Sequence, residues 1–373
     1  MNNNILIVII ILISFLLINN EESFQATSNL ETYDIIIIAG QSNSVGFGRR
    51  NHLTPTLYGA TSSEDLSDPN IDLYCKNNTI RRAQHPIDSL YGWNSRNCIV
   101  PKTGITPGLG PVGNSPDNCN PVGLSLQFAK EYIKSNKKIN SKVLIVGCGM
   151  GGTGFLNPVS RIPYWWRPTN STTHNYVDNN GNPQRDSRDN IVTSKIVTSL
   201  YLMTKTKLTE MKAKVNPNSK VVAILWHQGE SDSGECAMNE KNRLDYIQYI
   251  NRLFLDLRND IKTLFPNSIN VPILMGGMSP DTYRNRITKK INQTSHFKLM
   301  SEFIKNRVVP SITNCKFVSA EPMKPLNRFN RYLEGNSQMD AQGRVTDVKN
   351  DNIHFSATSL REFGKRYFSV FNT

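Results

Sequence analysis

Four segments of the sequence contain residue types that can do chemistry, and the first three also contain glycines that leave room for a bound molecule. In chain order they are Gly40–Gly46, Gly147–Gly154, Trp226–Asp232 and Asp351–Ser356. Serine hydrolysis needs a hydroxyl nucleophile, a base within hydrogen-bonding reach, a carboxylate that orients the base, and donors aimed at the developing oxyanion. The four segments contain every group that this chemistry requires.

Ser42 is the candidate nucleophile, because it stands in a glycine-flanked turn after an apolar run. Asp351 and His354 lie three residues apart, close enough for the carboxylate to hold the imidazole Nδ1–H while Nε2 faces the serine. A serine after a strand is more often only a turn residue, and an Asp three positions before a His also arises by chance. The assignment therefore depends on the segments meeting in space.

Donors for an oxyanion are expected from two other segments. Gly151 and Gly152 allow backbone N–H groups to approach a substrate without obstruction by a side chain. Gln228 offers a neutral amide donor that needs no change of protonation. These residues are the candidate oxyanion donors.

A nucleotide site and a metal site are the alternatives for these segments. The glycine segment satisfies G-x-G-x-x-G literally and follows a predicted strand, but it lacks the Gly-Lys-Ser/Thr of a P-loop. The next residues, Thr153–Pro158, do not open a helix cleanly, and no acidic residue ends a strand about 20 residues later. His227 and Glu230 do not form H-E-x-x-H, and no second histidine is near. We therefore expect neither a nucleotide cofactor nor a metal.

The elements that must position these segments follow a β-α-β rhythm. Short apolar runs rich in β-branched residues predict central parallel strands covered on both faces, with a fifth strand nearer an edge. These runs are Asp34–Ala39, Lys142–Val146, Val221–Trp226, Val271–Met275 and, at the edge, Cys315–Ser319. Amphipathic patterns predict helices at about 122–135, 190–214, 239–264, 295–306 and 356–370. The predicted fold is a three-layer α/β/α sandwich, in which ligands bind at the carboxyl ends of the strands.

Three long segments interrupt this rhythm, at about 49–120, 154–189 and 321–350, and they are rich in Gly, Pro, Asn and Asp. Stretches of that length are usually functional loops, and we expect them to wall a cleft. None carries its own run of buried strands in the sequence pattern. The chain is therefore predicted to form a single catalytic domain over residues 27–373.

Composition limits the class of protein. The chain has 373 residues, 43 Lys plus Arg against 30 Asp plus Glu, a net charge of +13 and 38% hydrophobic residues. Charged residues at 20%, with many aromatic residues, exclude a disordered polyelectrolyte, a collagen and a coiled coil. A nucleic-acid role fits poorly, because no clustered basic tract is present.

An apolar run near the start of the sequence indicates export. Residues 5–18 are uncharged and shorter than the roughly 20 residues that span a bilayer, as in a signal peptide. The prediction is a signal peptide over residues 1–26 and a secreted or lumenal protein. An uncleaved membrane anchor at residues 5–18 is the alternative, since no Lys or Arg precedes the run and no clean cleavage site follows it.

The cysteines and glycosylation sequons fit an exported chain. The six cysteines are Cys75, Cys98, Cys119, Cys148, Cys236 and Cys315. Their default state in a secretory context is disulfides of unspecified pairing, although Cys148 after a buried strand is as readily explained as a small buried residue. The sequons at Asn77, Asn170 and Asn292 are candidate glycosylation sites.

The motif blocks resemble those of a known family. Gly40-Gln41-Ser42-Asn43, the Gly151-Gly152-Thr153 turn, Trp226–Asp232 and Asp351–Ser356 are similar in order and spacing to the blocks of the sialate O-acetylesterase and carbohydrate esterase family 6 group. This group belongs to the SGNH/GDSL hydrolase superfamily, and the resemblance spans about residues 34–370. It implies a flavodoxin-like α/β/α fold and metal-independent removal of acetyl groups from carbohydrate.

The resemblance also implies roles for individual residues. By position, Ser42 matches the nucleophile, His354 the general base and Asp351 the acid that orients it. The N–H groups of Ser42 and Gly152 match the oxyanion hole together with Gln228. Supporting positions match at Gln41, Asn43, Gly151 and Glu230, where Glu230 is the acid of its block.

The substrate is less well defined by the sequence. Trp165 and Trp166 could stack on sugar rings or pack beneath a loop, and Trp226 is expected in the core. The basic surplus favours an acidic glycan as partner, or it is only a solvated surface. The alternatives from other classes are a non-catalytic glycan-binding protein on the same scaffold and a GDSL-type lipid esterase.

Overall fold

The computed structural model describes residues 30–46, 63–85, 87, 89–90, 122–135, 141–156, 165, 173–175, 193–195, 199–278, 296–321, 337–339, 345–348, 355 and 357–373. The predicted signal segment, Asp351, His354 and Trp166 lie outside these ranges. Within them, no helix is both long enough and apolar enough to cross a bilayer.

A seven-stranded sheet forms the centre of the protein, with the strand order β3-β2-β4-β1-β7-β8-β9. Its strands are β1 (Tyr33–Gly40), β2 (Ile71–Tyr74), β3 (Ile80–Arg82), β4 (Lys142–Gly147), β7 (Lys220–His227), β8 (Ile273–Gly276) and β9 (Cys315–Val318). All neighbours pair in parallel except β2 and β3, which are antiparallel. Two separate hairpins pair β5 (Thr173–Asn175) with β6 (Thr193–Lys195) and β10 (Ser337–Met339) with β11 (Val345–Val348).

Helices cover the sheet. In chain order they are α1 (Ser42–Val45), α2 (Ser125–Ser135), α3 (Leu200–Lys212), α4 (Ser233–Met238), α5 (Glu240–Leu264), α6 (His296–Phe303), α7 (Val309–Ser311) and α8 (Ala357–Phe371). A short 3₁₀ turn spans Ser63–Asp65, and a π-helical turn at Ile304–Val308 joins α6 to α7. The helix predicted at 190–214 begins at residue 200, because the residues near its expected start form β6.

The residues of β1 explain the three layers. All eight are buried, as expected for a strand without polar alternation. Ile35 and Ile37 join one hydrophobic cluster, and Ile36 and Ile38 join a second one. Since successive side chains of a strand point to opposite faces, the two clusters lie on the two sides of the sheet. The predicted α/β/α sandwich is therefore confirmed, and β9 lies at an edge as expected.

The prediction that the segment 49–120 carries no buried strand is wrong. β2 is fully buried and pairs with β4 inside the sheet. The polar Asp72 interrupts its apolar pattern and concealed the strand. Asp72 accepts a hydrogen bond from the Tyr33 hydroxyl at 3.1 Å and lies 3.9 Å from Lys142 Nζ, so its charge is compensated by residues of β1 and β4.

The expectation that all six cysteines form disulfides is not borne out. Cys148, Cys236 and Cys315 are free thiols, and Cys98 and Cys119 lie outside the described residues. Burial raises the pKa of the Cys315 thiol to about 12. Cys148 is fully buried at the end of β4, which fits its interpretation as a small core residue.

One sequon can be placed in the structure. Asn77 is exposed in the turn between β2 and β3, where its side chain accepts a hydrogen bond from Thr79 Oγ1 at 2.7 Å. Asn170 and Asn292 lie outside the described residues. Glycosylation stays a prediction at all three positions.

Candidate active site

The candidate nucleophile lies at the carboxyl edge of the sheet. Ser42 begins α1 directly after β1, and its residue is 5% exposed. The turn is fastened to the neighbouring strand β7, because the Gln41 N–H donates to the His227 carbonyl at 2.8 Å. Ser44 Oγ donates to the Gln41 carbonyl at 2.6 Å and closes the turn on itself. The hydroxyl therefore stands on a rigid support.

The glycine loop that follows β4 lies against this turn. The Met150 N–H donates to the Gly40 carbonyl at 3.0 Å, which brings the start of the loop beside Ser42. Gly152 has φ +71°, a conformation that side-chain-bearing residues rarely adopt. The loop is braced internally, since Thr153 Oγ1 donates to the Met150 carbonyl at 2.8 Å. The structure thus brings Ser42 and Gly152 to one edge, as the sequence predicts.

Gln228 connects the two loops. Its side chain is fully buried, and its Nε2 lies 2.8 Å from Asp232 Oδ2, 3.2 Å from the Thr153 carbonyl and 3.3 Å from Gln41 Oε1. Its Oε1 accepts from the Tyr246 hydroxyl at 2.8 Å, which fixes the orientation of the amide. Two N–H groups thus face three acceptor oxygens. Gln228 would have to exchange one of these bonds to donate to an oxyanion, and that role stays a prediction.

Glu230 and Asn43 connect the Ser42 turn to the last block. Glu230 is 8% exposed, and its Oε1 accepts from Asn43 Nδ2 at 2.6 Å. Asn43 Oδ1 in turn accepts from the Phe355 N–H at 3.1 Å. The residue after Ser42 therefore holds the residue after His354. Asp351 and His354 themselves lie outside the described residues, so their assignment as acid and base stays a prediction.

His227 is a core histidine. Its ring is fully buried and makes edge contacts with Phe355 and Phe363. Its Nε2 lies 3.1 Å from the Gly277 carbonyl, so this nitrogen carries the hydrogen. Burial lowers the pKa of His227, while the nearby Glu230 carboxylate opposes the shift. The described residues contain no group of three or more metal-ligating side chains that could hold an ion.

Trp165 does not have the substrate-stacking role considered from the sequence. It is 1% exposed and packs edge-on against Trp226, with ring centroids 4.7 Å apart. Its Nε1 donates to Thr153 Oγ1 at 3.0 Å. The indole is therefore part of the core beneath the glycine loop. Trp226 is fully buried, as expected.

The structure adds to the site two side chains that the sequence analysis did not assign to it. Asp232 is fully buried and contacts both Gln228 and the glycine loop. Its position in the same block as Gln228 was a signal that could have identified it. Tyr246 lies in the second turn of α5, and nothing in the local sequence distinguishes it from an ordinary core aromatic residue.

The mostly parallel sheet carries the Ser42 turn and the glycine loop at its carboxyl edge, where open α/β folds bind their ligands. Residues 32–373 match the family described as carbohydrate esterase, sialic acid-specific acetylesterase, and the chain belongs to this family. The family assignment that the motif blocks suggested is therefore confirmed.

Two solved structures show the same fold. The crystal structure of NanS aligns with a TM-score of 0.54 and 18% identity, over 92% of this chain and 97% of that chain. An X-ray structure of a protein from Arabidopsis thaliana aligns with a TM-score of 0.51 and 15% identity, over 91% of this chain and 97% of that chain. A comparison with curated proteins found no match.

Proposed function

We propose that this protein is a serine esterase that removes O-acetyl groups from carbohydrate without a metal ion. The observation that carries the proposal is the Ser42 turn, held by hydrogen bonds against the glycine loop and the end of β7. Family membership supports an acetylated carbohydrate as the substrate. Export of the enzyme is part of the proposal and rests on the apolar run at residues 5–18.

The proposed reaction has two halves. His354 accepts the Ser42 proton while Oγ bonds to the acetyl carbonyl carbon, and the carbonyl electrons move to oxygen. The tetrahedral oxyanion is stabilised by the N–H groups of Ser42 and Gly152, with Gln228 as the predicted third donor. When the carbon–oxygen bond to the sugar breaks, His354 protonates the departing oxygen. Water then cleaves the acetyl-Ser42 ester by the same steps and releases acetate.

The rigid support beneath Ser42 suits this chemistry. A nucleophile must be held close to its productive geometry, because misplacement by about 1 Å costs on the order of 10²-fold in rate. The hydrogen bonds of the turn to β7 and to the glycine loop provide that restraint without using the Ser42 hydroxyl. The Asn43–Phe355 hydrogen bond supports the approach of the predicted base to the same place.

The net charge of +13 favours an acidic glycan, such as one bearing sialic or uronic acids. The decisive experiment measures acetate release from acetylated xylan, pectin, peptidoglycan and sialoglycans by the wild-type protein and by Ser42→Ala. The proposal expects release from at least one glycan that disappears in the variant. Equal release by both proteins would remove Ser42 as nucleophile, and binding without any release would favour a glycan-binding protein.

A chain-length series separates a deacetylase from a lipid esterase. The proposal expects activity on aryl esters to fall steeply from acetate to octanoate, since a site built for acetyl groups has no room for a long acyl chain. Activity that stays flat out to octanoate would favour a GDSL-type lipid esterase instead.

A further inference from the structure

Asp232 is a buried carboxylate for which the proposed reaction has no direct use. It follows the Gln228-Gly229-Glu230 turn and precedes α4, and its side chain is fully buried. Burying a carboxylate is costly unless donors compensate its charge. The Asp232 carboxylate must therefore accept hydrogen bonds, and the segments that supply the donors indicate the role of Asp232.

The donors to Asp232 come from two different loops. Oδ1 accepts from the Leu156 N–H at 2.9 Å, and Oδ2 accepts from the Phe155 N–H at 3.0 Å. Both N–H groups belong to the loop that carries Gly152. Oδ2 also accepts from Gln228 Nε2 at 2.8 Å, on the β7 side of the site. One carboxylate thus joins the glycine loop to β7.

The connection continues to the nucleophile turn. Gln228 Nε2 lies 3.3 Å from Gln41 Oε1, and the Ser231 N–H donates to the same oxygen at 3.2 Å. Gln41 is the residue before Ser42. A continuous set of hydrogen bonds therefore runs from the loop of Gly152, through Asp232 and the residues beside it, to the residue that precedes the nucleophile.

The contact between Asp232 and the glycine loop is close. A Cβ atom added to Gly154 would lie 2.7 Å from Asp232 Oδ1 and 2.9 Å from Oδ2. Atoms at that distance overlap, so a side chain at position 154 would push the carboxylate and the loop apart. The glycine loop can therefore lie this close to the Asp232 carboxylate only because residue 154 has no side chain.

We propose that Asp232 is a positioning residue that holds the Gly152 N–H at its working distance from Ser42. The inference rests on the proposed function, because it assigns Asp232 to the oxyanion hole of that same reaction. Oxyanion donors work only when they are preorganised toward the developing charge. Loss of the carboxylate would release the Phe155 and Leu156 N–H groups and loosen the loop that they belong to.

The first test is the isosteric variant Asp232→Asn. An asparagine keeps the volume but replaces one acceptor oxygen with a donor NH₂. In either orientation the NH₂ faces a backbone N–H, that of Leu156 at the Oδ1 position or that of Phe155, together with Gln228 Nε2, at the Oδ2 position. On a simple aryl acetate we expect kcat to fall about 10²-fold and KM to stay within about threefold of wild type. Affinity for a boronic acid, which adds to Ser42 as a tetrahedral anion, is expected to fall by a similar factor.

Asp34→Asn is the matched control. Asp34 is equally an aspartate buried at the sheet, and it accepts from the Tyr132 hydroxyl at 2.8 Å, but it lies near the amino end of β1. We expect the control to lower the melting temperature while kcat and boronic acid affinity stay at wild-type values. If Asp34→Asn lowers kcat as much as Asp232→Asn does, the effect is general destabilisation and the proposal is wrong.

Gly154→Ala is an independent second variant, and it decides the question if Asp232→Asn does not fold. It keeps the carboxylate but crowds it, so kcat is expected to fall with little change in KM. Wild-type kcat in either folded variant overturns the positioning role. If the wild-type protein neither hydrolyses aryl acetates nor binds the boronic acid, the proposed function itself fails, and this inference fails with it.

Discussion

The two ends of the central sheet satisfy their buried polar groups in different ways. At the amino end, Asp34 and Asp72 accept hydrogen bonds from tyrosine hydroxyls and lie near the ammonium groups of Lys220 and Lys142. Those lysines are partly exposed, so water and salt reach this end. At the carboxyl end, the buried carboxylates of Asp232 and Glu230 accept instead from side-chain amides and backbone N–H groups.

The difference matches what each end has to do. Charge pairs with long, exposed side chains tolerate small movements and contribute modestly to stability. Bonds among buried amides, carboxylates and backbone groups fix positions, because any unsatisfied partner in a dry site is costly. Substitutions at the amino end are therefore expected to change mainly the free energy of unfolding. Substitutions at the carboxyl end are expected to change the positions of the proposed catalytic groups. Substitutions at the two ends should separate these effects.

The largest expected effect is at Ser42, the proposed nucleophile. Ser42→Ala should abolish hydrolysis of an aryl acetate, because the proposed acyl intermediate forms on this hydroxyl and the other serine of the turn, Ser44, donates its hydroxyl to the Gln41 carbonyl at 2.6 Å. The fold should be retained, since the hydrogen bonds that hold the turn come from Gln41 and Ser44. Turnover is measured spectrophotometrically and folding by circular dichroism. Unchanged turnover in the variant would contradict the assignment of Ser42 as the nucleophile.

Gln228→Ala is expected to lower kcat by about 10²–10³-fold, the usual cost of losing one oxyanion donor or the geometry that supports it. Gln127→Ala is the matched control, because Gln127 is also a buried glutamine but lies outside the site. Its Nε2 donates to the Glu64 carbonyl at 2.6 Å. The control should lose stability and keep its kcat. A Gln228→Ala rate within a factor of about two of wild type would remove this residue from the catalytic machinery.

Acid should destabilise the protein partly through the carboxyl end. Burial lowers the pKa of His227 below its ordinary value of 6.5, so the unfolded chain binds this proton more readily than the folded one. Stability is then fully present above about pH 6.5 and falls as the pH drops from there toward the folded pKa, by at most about 1.4 kcal/mol per pH unit. Thermal unfolding between pH 7.5 and about 5, with proton uptake measured by calorimetry in two buffers, checks the sign. A melting temperature that rises as the pH falls over this window would contradict it.

The smallest expected effect is at the amino end. Tyr132→Phe removes the hydroxyl that donates to the buried Asp34, and it should cost about 1 kcal/mol of unfolding free energy. Because Tyr132 lies on α2 and contacts the sheet at the end opposite the site, kcat should not change. Urea unfolding and aryl acetate kinetics measure the two quantities. A kcat lowered tenfold would show that the two ends are not independent.

Much of the fold could be predicted from the sequence because its central strands are simple. Four consecutive isoleucines in β1 have no polar face to expose, so burial on both sides was the only consistent interpretation. The strand β2 could not be recognised because Asp72 is compensated by Tyr33 and Lys142, which are remote in sequence. Short strands whose polar residues have tertiary partners carry no local signal.

The sequence named candidate members of the site but not the connections between them. The motif blocks predicted Ser42, Gly152 and Gln228 as site residues, and the structure places all three at one edge of the sheet. The sequence could not show that Trp165 lies beneath the glycine loop, or that Asp232 joins that loop to Gln228. Which donor meets which acceptor depends on loop conformation, and neither residue type nor spacing determines it.

The hydrogen bond from the Phe355 N–H to Asn43 has a consequence for folding. It joins residues 312 positions apart in the chain, a sequence separation that makes contacts slow to form. The sheet can begin to assemble from β1, β4 and β7, but we expect Phe355, the residue after the predicted base His354, to reach Asn43 only when the adjacent helix α8 has docked. A newly made chain should therefore become compact before it becomes active, and recovery of activity should lag behind recovery of secondary structure on refolding.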